Sequence, residues 1–528
     1  MSNPFVVLRS LLIYGLCLPL ALYLGYILAN PLDTVTMYTV MVLLFLLCLP
    51  VLIRAHHALL IFSWSCGAEV FFVKGHLQLW MVLTLISLGI TIVYRALNRE
   101  MKFCWVNSVA APLVFLGIVT AVTAYVNGGI GIRALGSDMY GGKRYVWIGC
   151  AILGYFALAS HRIPLNRARW YAGIYFLPQI SAGISSLVTV LSPSLYWIYL
   201  FFPADPSGVS AVTSVETASF VQISRLGGLA VACRAVFVFL LARYGIRGLL
   251  GFRNSWRLAL LVTAFVLSAL GGFRSVIASL VLLFVTVYYL SGLLRTRLTI
   301  VLAIVGLASG LSLLPFVRSL PLPMQRAVSF LPVDVDPVAA ADAEGSSQWR
   351  FTIWSRLWPE VHHYLWMGKG FNINGQELEL ANQLAMRGGD NADVALISGD
   401  YHNGPLSILI PLGVWGVLGF LWFIWASIRV LYRNYRYGDP ELKTLNTLLL
   451  AYFVVQSFSF LVIFGGFYAD LCIFTGLVGF SLSLNGGVCR KPVPVREEVP
   501  AYKRLRSPRN ENPAELTPFP ALSRHRLS

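Results

Sequence analysis

The stretch "DYHNGPLSILIPLGVWG", residues 400–416, passes from polar to apolar with His402 at the boundary. Three arginines stand in comparable places: Arg225 in "ISRLGGLA", Arg274 in "GGFRSVIAS" and Arg350 in "QWRFTIW". A guanidinium is always charged, and its forked donors suit phosphate oxygens. Several together can hold a diphosphate and stabilise its charge as it leaves. A histidine, with an ordinary pKa of about 6.5, can take a proton near neutral pH. Asn403, Gly404 and Pro405 read as a helix start, with Asn403 as N-cap and proline in the first turn. A helix N-terminus disfavours imidazolium, whereas Asp400 favours it, so the net shift stays open. Four such residues gathered at one place would suit displacement of a diphosphate by a hydroxyl.

Each residue also has a plainer reading. An arginine at a membrane edge often reaches lipid phosphates, and a histidine there is often only interfacial, as His362 and His363 are read to be. Arg234 and Glu69 read as intramembrane charges, either ion-paired or in contact with substrate. The glycines of "GVWGVLG" read as sites of close helix packing. Eight cysteines show no CxxC or Cys/His metal spacing, and phosphate loops, HExxH and GxSxG are missing. Neither metal nor cofactor is expected.

The elements that must carry these residues are membrane helices. Of 528 residues 57% are hydrophobic and 12% charged, too apolar for a soluble core. Runs of about twenty residues give about fourteen spans, near 11–29, 36–53, 57–73, 77–94, 106–125, 145–161, 171–192, 226–243, 256–272, 275–292, 298–317, 405–428, 446–465 and 469–486. Residues 11–29 read as a span rather than a cleaved signal peptide. Alternate loops are basic, among them "RAHH" at 54–57, "RALNREMK" at 95–102 and "RYGIRGLLGFRNSWR" at 243–257. These loops are expected in the cytoplasm with both termini, which accounts for the net charge of +17 without nucleic acid. Residues 318–403 form a long extracytoplasmic loop, and "QWRFTIWSRLWPEVHHYLW" within it predicts an amphipathic helix along the membrane surface. Residues 1–487 make the membrane domain and 488–528 a disordered cytoplasmic tail. On this topology His402 and the three arginines share one face.

Taken together, "WRFTIWSRLWPEVHHYLWMGKGF" and "YHNGPLSILIPLGVWG" resemble the signature of the O-antigen ligase and polymerase superfamily. "SRLGG" at 224–228 is similar to that family's Arg-x-x-Gly, and "GGFRS" at 271–275 to its Ser-Arg-Gly turn. In the latter, Phe273 and Ser275 depart from the pattern. The resemblance implies an all-α polytopic glycosyltransferase of the GT-C-like, lipid-linked-donor type, inverting and metal-independent, in the bacterial inner membrane with its site facing outward. The implied donor is a glycan on undecaprenyl diphosphate, and the acceptor a glycan or lipid. Membrane lipids and polysaccharide-assembly proteins are the other implied partners. Arg225 and Arg274 would then hold the diphosphate, and His402 would deprotonate or orient the acceptor hydroxyl. Arg350, Asn403 and Arg234 are further substrate-binding candidates.

The expected activity is polymerisation of repeat units of a cell-surface polysaccharide. Transfer to lipid A core by a ligase is the alternative. A flippase for lipid-linked oligosaccharides is a further one; it should show cations deep in the bundle and repeats between halves. Arg234 is the feature that fits it.

Overall fold

In the computed structural model, the described residues are 34–491 apart from 72, 74, 99–103, 132–138, 205–224, 252–253 and 387–390, with short stretches between 14 and 26. Of the expected first span, 11–29, eleven residues between 14 and 26 are described, while the expected tail lies outside the described residues from 492 onward. Helices dominate, as apolar segments without access to water must bond their backbones internally. Among the described residues, nine helices are long and apolar enough to cross a membrane, and Ser255–Gly271 and Arg274–Leu290 are shorter apolar helices.

The first is α1, Thr34–Trp64. It corrects the expected pair of spans at 36–53 and 57–73, and with it the count of fourteen. "RAHH" lies inside this helix rather than in a loop. His56 and His57 are buried there because each ring has a partner: His56 Nδ1 meets Ser87 Oγ at 2.8 Å, and His57 Nε2 meets the Leu158 carbonyl at 2.9 Å. The chain beyond Trp64 turns into a hairpin of β1, Glu69–Val70, and β2, Leu77–Gln78, paired antiparallel. Glu69 is therefore not a mid-span charge. It accepts from Gln78 at 2.9 Å and pairs with Lys143 at 3.5 Å.

Next come α2, Leu79–Leu97, α3, Asn107–Val126, strand β3, Met139–Tyr140, and α4, Gly142–Ala159. Helices α5, Ala168–Phe176, and α6, Ala182–Leu191, follow, joined by a 3-10 turn. The next bundle members are α7, Gly227–Leu249, α8, Ser255–Ser268, α9, Arg274–Leu290, and α10, Arg297–Leu313. After the large loop come α16, Gly404–Tyr437, α17, Lys443–Phe458, and α18, Phe467–Asn485. The core lies around α18, which packs on α4 with Trp64 wedged beside it. Trp64 donates to the Cys472 carbonyl at 3.1 Å. Gly154 and Gly476 face its ring, where any larger side chain would collide.

The large loop carries α11, Leu322–Val328, α12, Pro337–Leu357, α13, Val361–Tyr364, β4, Ile373–Asn374, α14, Gly375–Met386, and α15, Asn391–Ser398. Strand β4 pairs with β3, tying the loop to the chain ahead of α4. The helix expected across "QWRFTIWSRL" forms within α12, yet its buried residues turn toward the loop's own core. Ile353 packs with Ala392 and Ala395, and Leu357 with Tyr401, Leu406 and Ile410. Phe351, Trp358 and Trp366 remain exposed.

Candidate functional site

The start of α16 decides where His402 points. Asn403 caps the helix as the sequence predicts, its side chain accepting from the Leu406 amide at 3.0 Å with Pro405 in the first turn. Asn403 Oδ1 is thereby committed to the cap. Nine residues on, the helix breaks. Pro411 supplies no amide, and Gly413 has φ of +67° and ψ of −168°, a backbone region that essentially only glycine enters. The carbonyls freed at the break are met by the "GKG" loop: Lys369 donates to Ile410 at 2.9 Å and Gly370 to Pro411 at 3.0 Å. In return Val414 donates to the Leu365 carbonyl at 2.7 Å. Gly413 is thus a break at which the backbone of 365–368 comes close, rather than a site of helix packing as expected from "GVWGVLG"; Gly419 does lie against Phe115 and Leu116 of α3. Gly413→Ala is expected to cost about 1–3 kcal/mol for the backbone conformation alone. Its Cβ would also lie 2.9 Å from the Trp366 carbonyl oxygen, so a clear drop in melting temperature should follow.

His402 itself has φ of +49°, which few side chains adopt. It is three-quarters buried, its ring 5.0 Å from Trp349 and 5.1 Å from Phe464. Nε2 lies 3.5 Å from Asp400 Oδ2, while Nδ1 is buried with no hydrogen-bond partner among the described residues. Burial, and secondarily the Arg350 charge, lower its pKa below the ordinary histidine value despite the opposing carboxylate of Asp400. The balance left open by the sequence thus falls toward neutral imidazole. With a proton on Nε2 toward Asp400, Nδ1 is the free acceptor.

The arginines gather along α12. Arg225 Nη2 donates to both oxygens of Asp342, at 3.0 and 2.8 Å. Arg274 Nη2 donates to the Ala343 carbonyl and to Ser347 Oγ, each at 2.9 Å. Arg350 follows on the same helix, its guanidinium 5.9 Å from the Phe464 ring centroid. Residues 343, 347 and 350 share one helix face, so the row from Asp342 to Arg350 is about 12 Å long. Burial lowers the Arg350 pKa, and the charges of Arg274 and Arg225 lower it further, which places the three within electrostatic reach. Trp349, beside Arg350, then meets His402. Phe273, the departure from the family's turn, lies 5.9 Å beneath the Arg225 guanidinium.

Two members of this group carried no role in the sequence reading. Arg326, only 3% exposed, bonds Asp342 through Nε and the Gly272 carbonyl through Nη1. Burial lowers its pKa first, the Arg225 charge next, and Asp342 opposes them. A lone arginine in the apolar run "LPMQRAVSF" was the available signal. Asp342 is the carboxylate shared by Arg225 and Arg326. By contrast Arg234, inside α7, has Asp470 as its charged neighbour, and its Nε has no partner among the described residues. It is not joined to the Asp342 group.

Residues 258–421 match the family model for O-Antigen ligase. That segment holds Arg274, Arg326, Asp342, Arg350 and His402; Arg225 precedes it. The match supports the resemblance to the O-antigen ligase and polymerase superfamily and an activity of that general type. No curated protein matches the chain.

Proposed function

We propose that this all-α membrane protein transfers a glycan from a polyprenyl diphosphate donor to a hydroxyl of the next lipid-linked repeat unit, building a cell-surface polysaccharide. The observation that carries the reading is the gathering of four guanidinium groups and one histidine beside α12. The acceptor hydroxyl attacks the anomeric carbon from the side opposite the leaving group, with inversion. Its proton passes to His402 Nδ1, and the bond from that carbon to the diphosphate breaks. The diphosphate departs with the electron pair, held by Arg225, Arg274, Arg326 and Arg350. The arginines supply the charge neutralisation, so divalent metal is not required. The site faces away from the cytoplasm of a bacterial inner membrane, on the side opposite the basic loops, and both termini lie in the cytoplasm.

The test is purified full-length protein in nanodiscs, given lipid-linked repeat units and EDTA. A ladder of lengthened chains, each new linkage inverted by NMR, is expected. Product found only on lipid A core would instead make the protein a ligase. No transfer to either acceptor with native lipid-linked donor would overturn the reading.

A further inference from the structure

Tyr401 and His402 are adjacent in sequence but have different surroundings. His402 meets Trp349 and Phe464, on the side of the arginine row. Tyr401 meets a second pair of cations. Lys369 Nζ lies 5.7 Å from the centre of its ring. Arg144, in the first turn of α4, lies in electrostatic reach of both Lys369 and Tyr401, and its guanidinium covers the Tyr468 ring at 4.9 Å. Gly399, with φ of +71°, closes the group: a Cβ there would lie 2.9 Å from Arg144 Nη1 and 3.6 Å from the Tyr401 hydroxyl. Glycine at 399 lets the guanidinium and the phenol draw close to this turn, because any side chain there would meet Arg144.

Nothing described in the protein uses these donors. Tyr401 is 1% exposed, and its hydroxyl has no hydrogen-bond partner among the described residues. Burying a hydroxyl unpaired is costly, so a ligand that accepts from it is the physical expectation. Burial keeps the phenol protonated and therefore a donor. Burial first, and then the Arg144 charge, lower the Lys369 pKa, and the carboxylates of Glu360 and Glu377 oppose them. The nearby carboxylate of Asp400 is directed to His402. An ammonium and a guanidinium gathered around one phenol are the donors of a phosphate-oxygen site.

We propose that Lys369, Arg144 and Tyr401 form a second anion site, which holds the diphosphate of the acceptor while the arginine row holds that of the donor. This rests on the proposed transferase reading, in which the acceptor is itself a lipid-linked unit and brings its own diphosphate. Bound there, its sugar would lie against His402 from the side opposite the donor.

Undecaprenyl diphosphate, titrated into the full-length protein and counted by native mass spectrometry, is the probe. Two equivalents are expected for the natural protein. The pair Lys369→Met and Arg144→Gln should bind one, and the pair Arg225→Gln and Arg274→Gln should bind the other one. Tyr401→Phe, which removes only the hydroxyl, should weaken the second equivalent about tenfold. If the natural protein binds one equivalent, or the Lys369 pair keeps two, this proposal fails while the donor site stands. If the Arg225 pair keeps two while the Lys369 pair loses one, the donor assignment fails and this site stands. Phosphatidylglycerol is the competing source of phosphate; displacement of the second equivalent by it at equal concentration would make the site a lipid headgroup site and overturn the acceptor assignment.

Discussion

His402→Ala is expected to lower kcat for glycan transfer by about 10²–10⁴-fold, the usual contribution of a positioned acid–base group. Binding of the donor should change little, because the proposed diphosphate contacts come from the arginines. That split separates a base from a merely structural histidine. A structural role would show as a lower melting temperature and a general loss of binding. His402→Asn provides a control, since asparagine accepts the left-handed backbone that His402 adopts at φ of +49°. It should restore any lost stability but not kcat. The pH dependence has a definite sign. The imidazole must be neutral to act, and burial lowers its pKa. Activity should therefore persist as pH falls past the ordinary histidine range, and decline only at lower pH. Asp400 raises the His402 pKa, so Asp400→Asn should move the acid limb of kcat/KM to still lower pH. An unmoved limb, together with an active His402→Ala, would remove His402 from the chemistry.

How much of this was legible without coordinates depends on which forces act locally. Span positions were readable because the bilayer demands long apolar runs, and helices such as Asn107–Val126 and Phe467–Asn485 fall within two residues of the expected ranges. The division of α1 was misread because "RAHH" has the composition of a loop. What makes it helical is Ser87 and the Leu158 carbonyl, partners 31 and 101 residues away. The cap at Asn403 was legible, being an interaction across three residues. The break at Gly413 was not, because a glycine in a helix looks the same whether it packs or turns; only the Lys369 and Gly370 amides reveal it. His402, Arg225, Arg274 and Arg350 could be assigned to one side from topology. That Arg326 joins them required folding the chain, since the Gly272 carbonyl it meets is 54 residues away.

The second large effect concerns the carboxylate among the arginines. Asp342 lies between Arg225 and Arg326, and removing it leaves a nearly fully buried guanidinium without its counter-charge. Breaking such a pair typically costs about 3–5 kcal/mol, so Asp342→Ala should lower the melting temperature sharply. Its effect on catalysis follows from which donors it occupies. Arg225 reaches Asp342 through Nη2 alone, and its buried Nε has no partner among the described residues. If a diphosphate binds Arg225 without displacing Asp342, the carboxylate acts as a positioning residue that holds the guanidinium plane. Arg225→Gln should lower kcat/KM for the donor by about 10²–10³-fold, the scale of losing one charged donor at a developing anion. Asp342→Asn keeps the shape and loses the charge. If Asp342 were a placeholder that the diphosphate must expel, this change would tighten donor binding. If it positions Arg225, the change lowers kcat/KM, and the double variant Asp342→Asn, Arg225→Gln falls no further than Arg225→Gln alone. A double-variant cycle on the purified enzyme reads this directly. Fully additive losses would show that Asp342 works apart from Arg225, leaving Arg326 as the residue it serves.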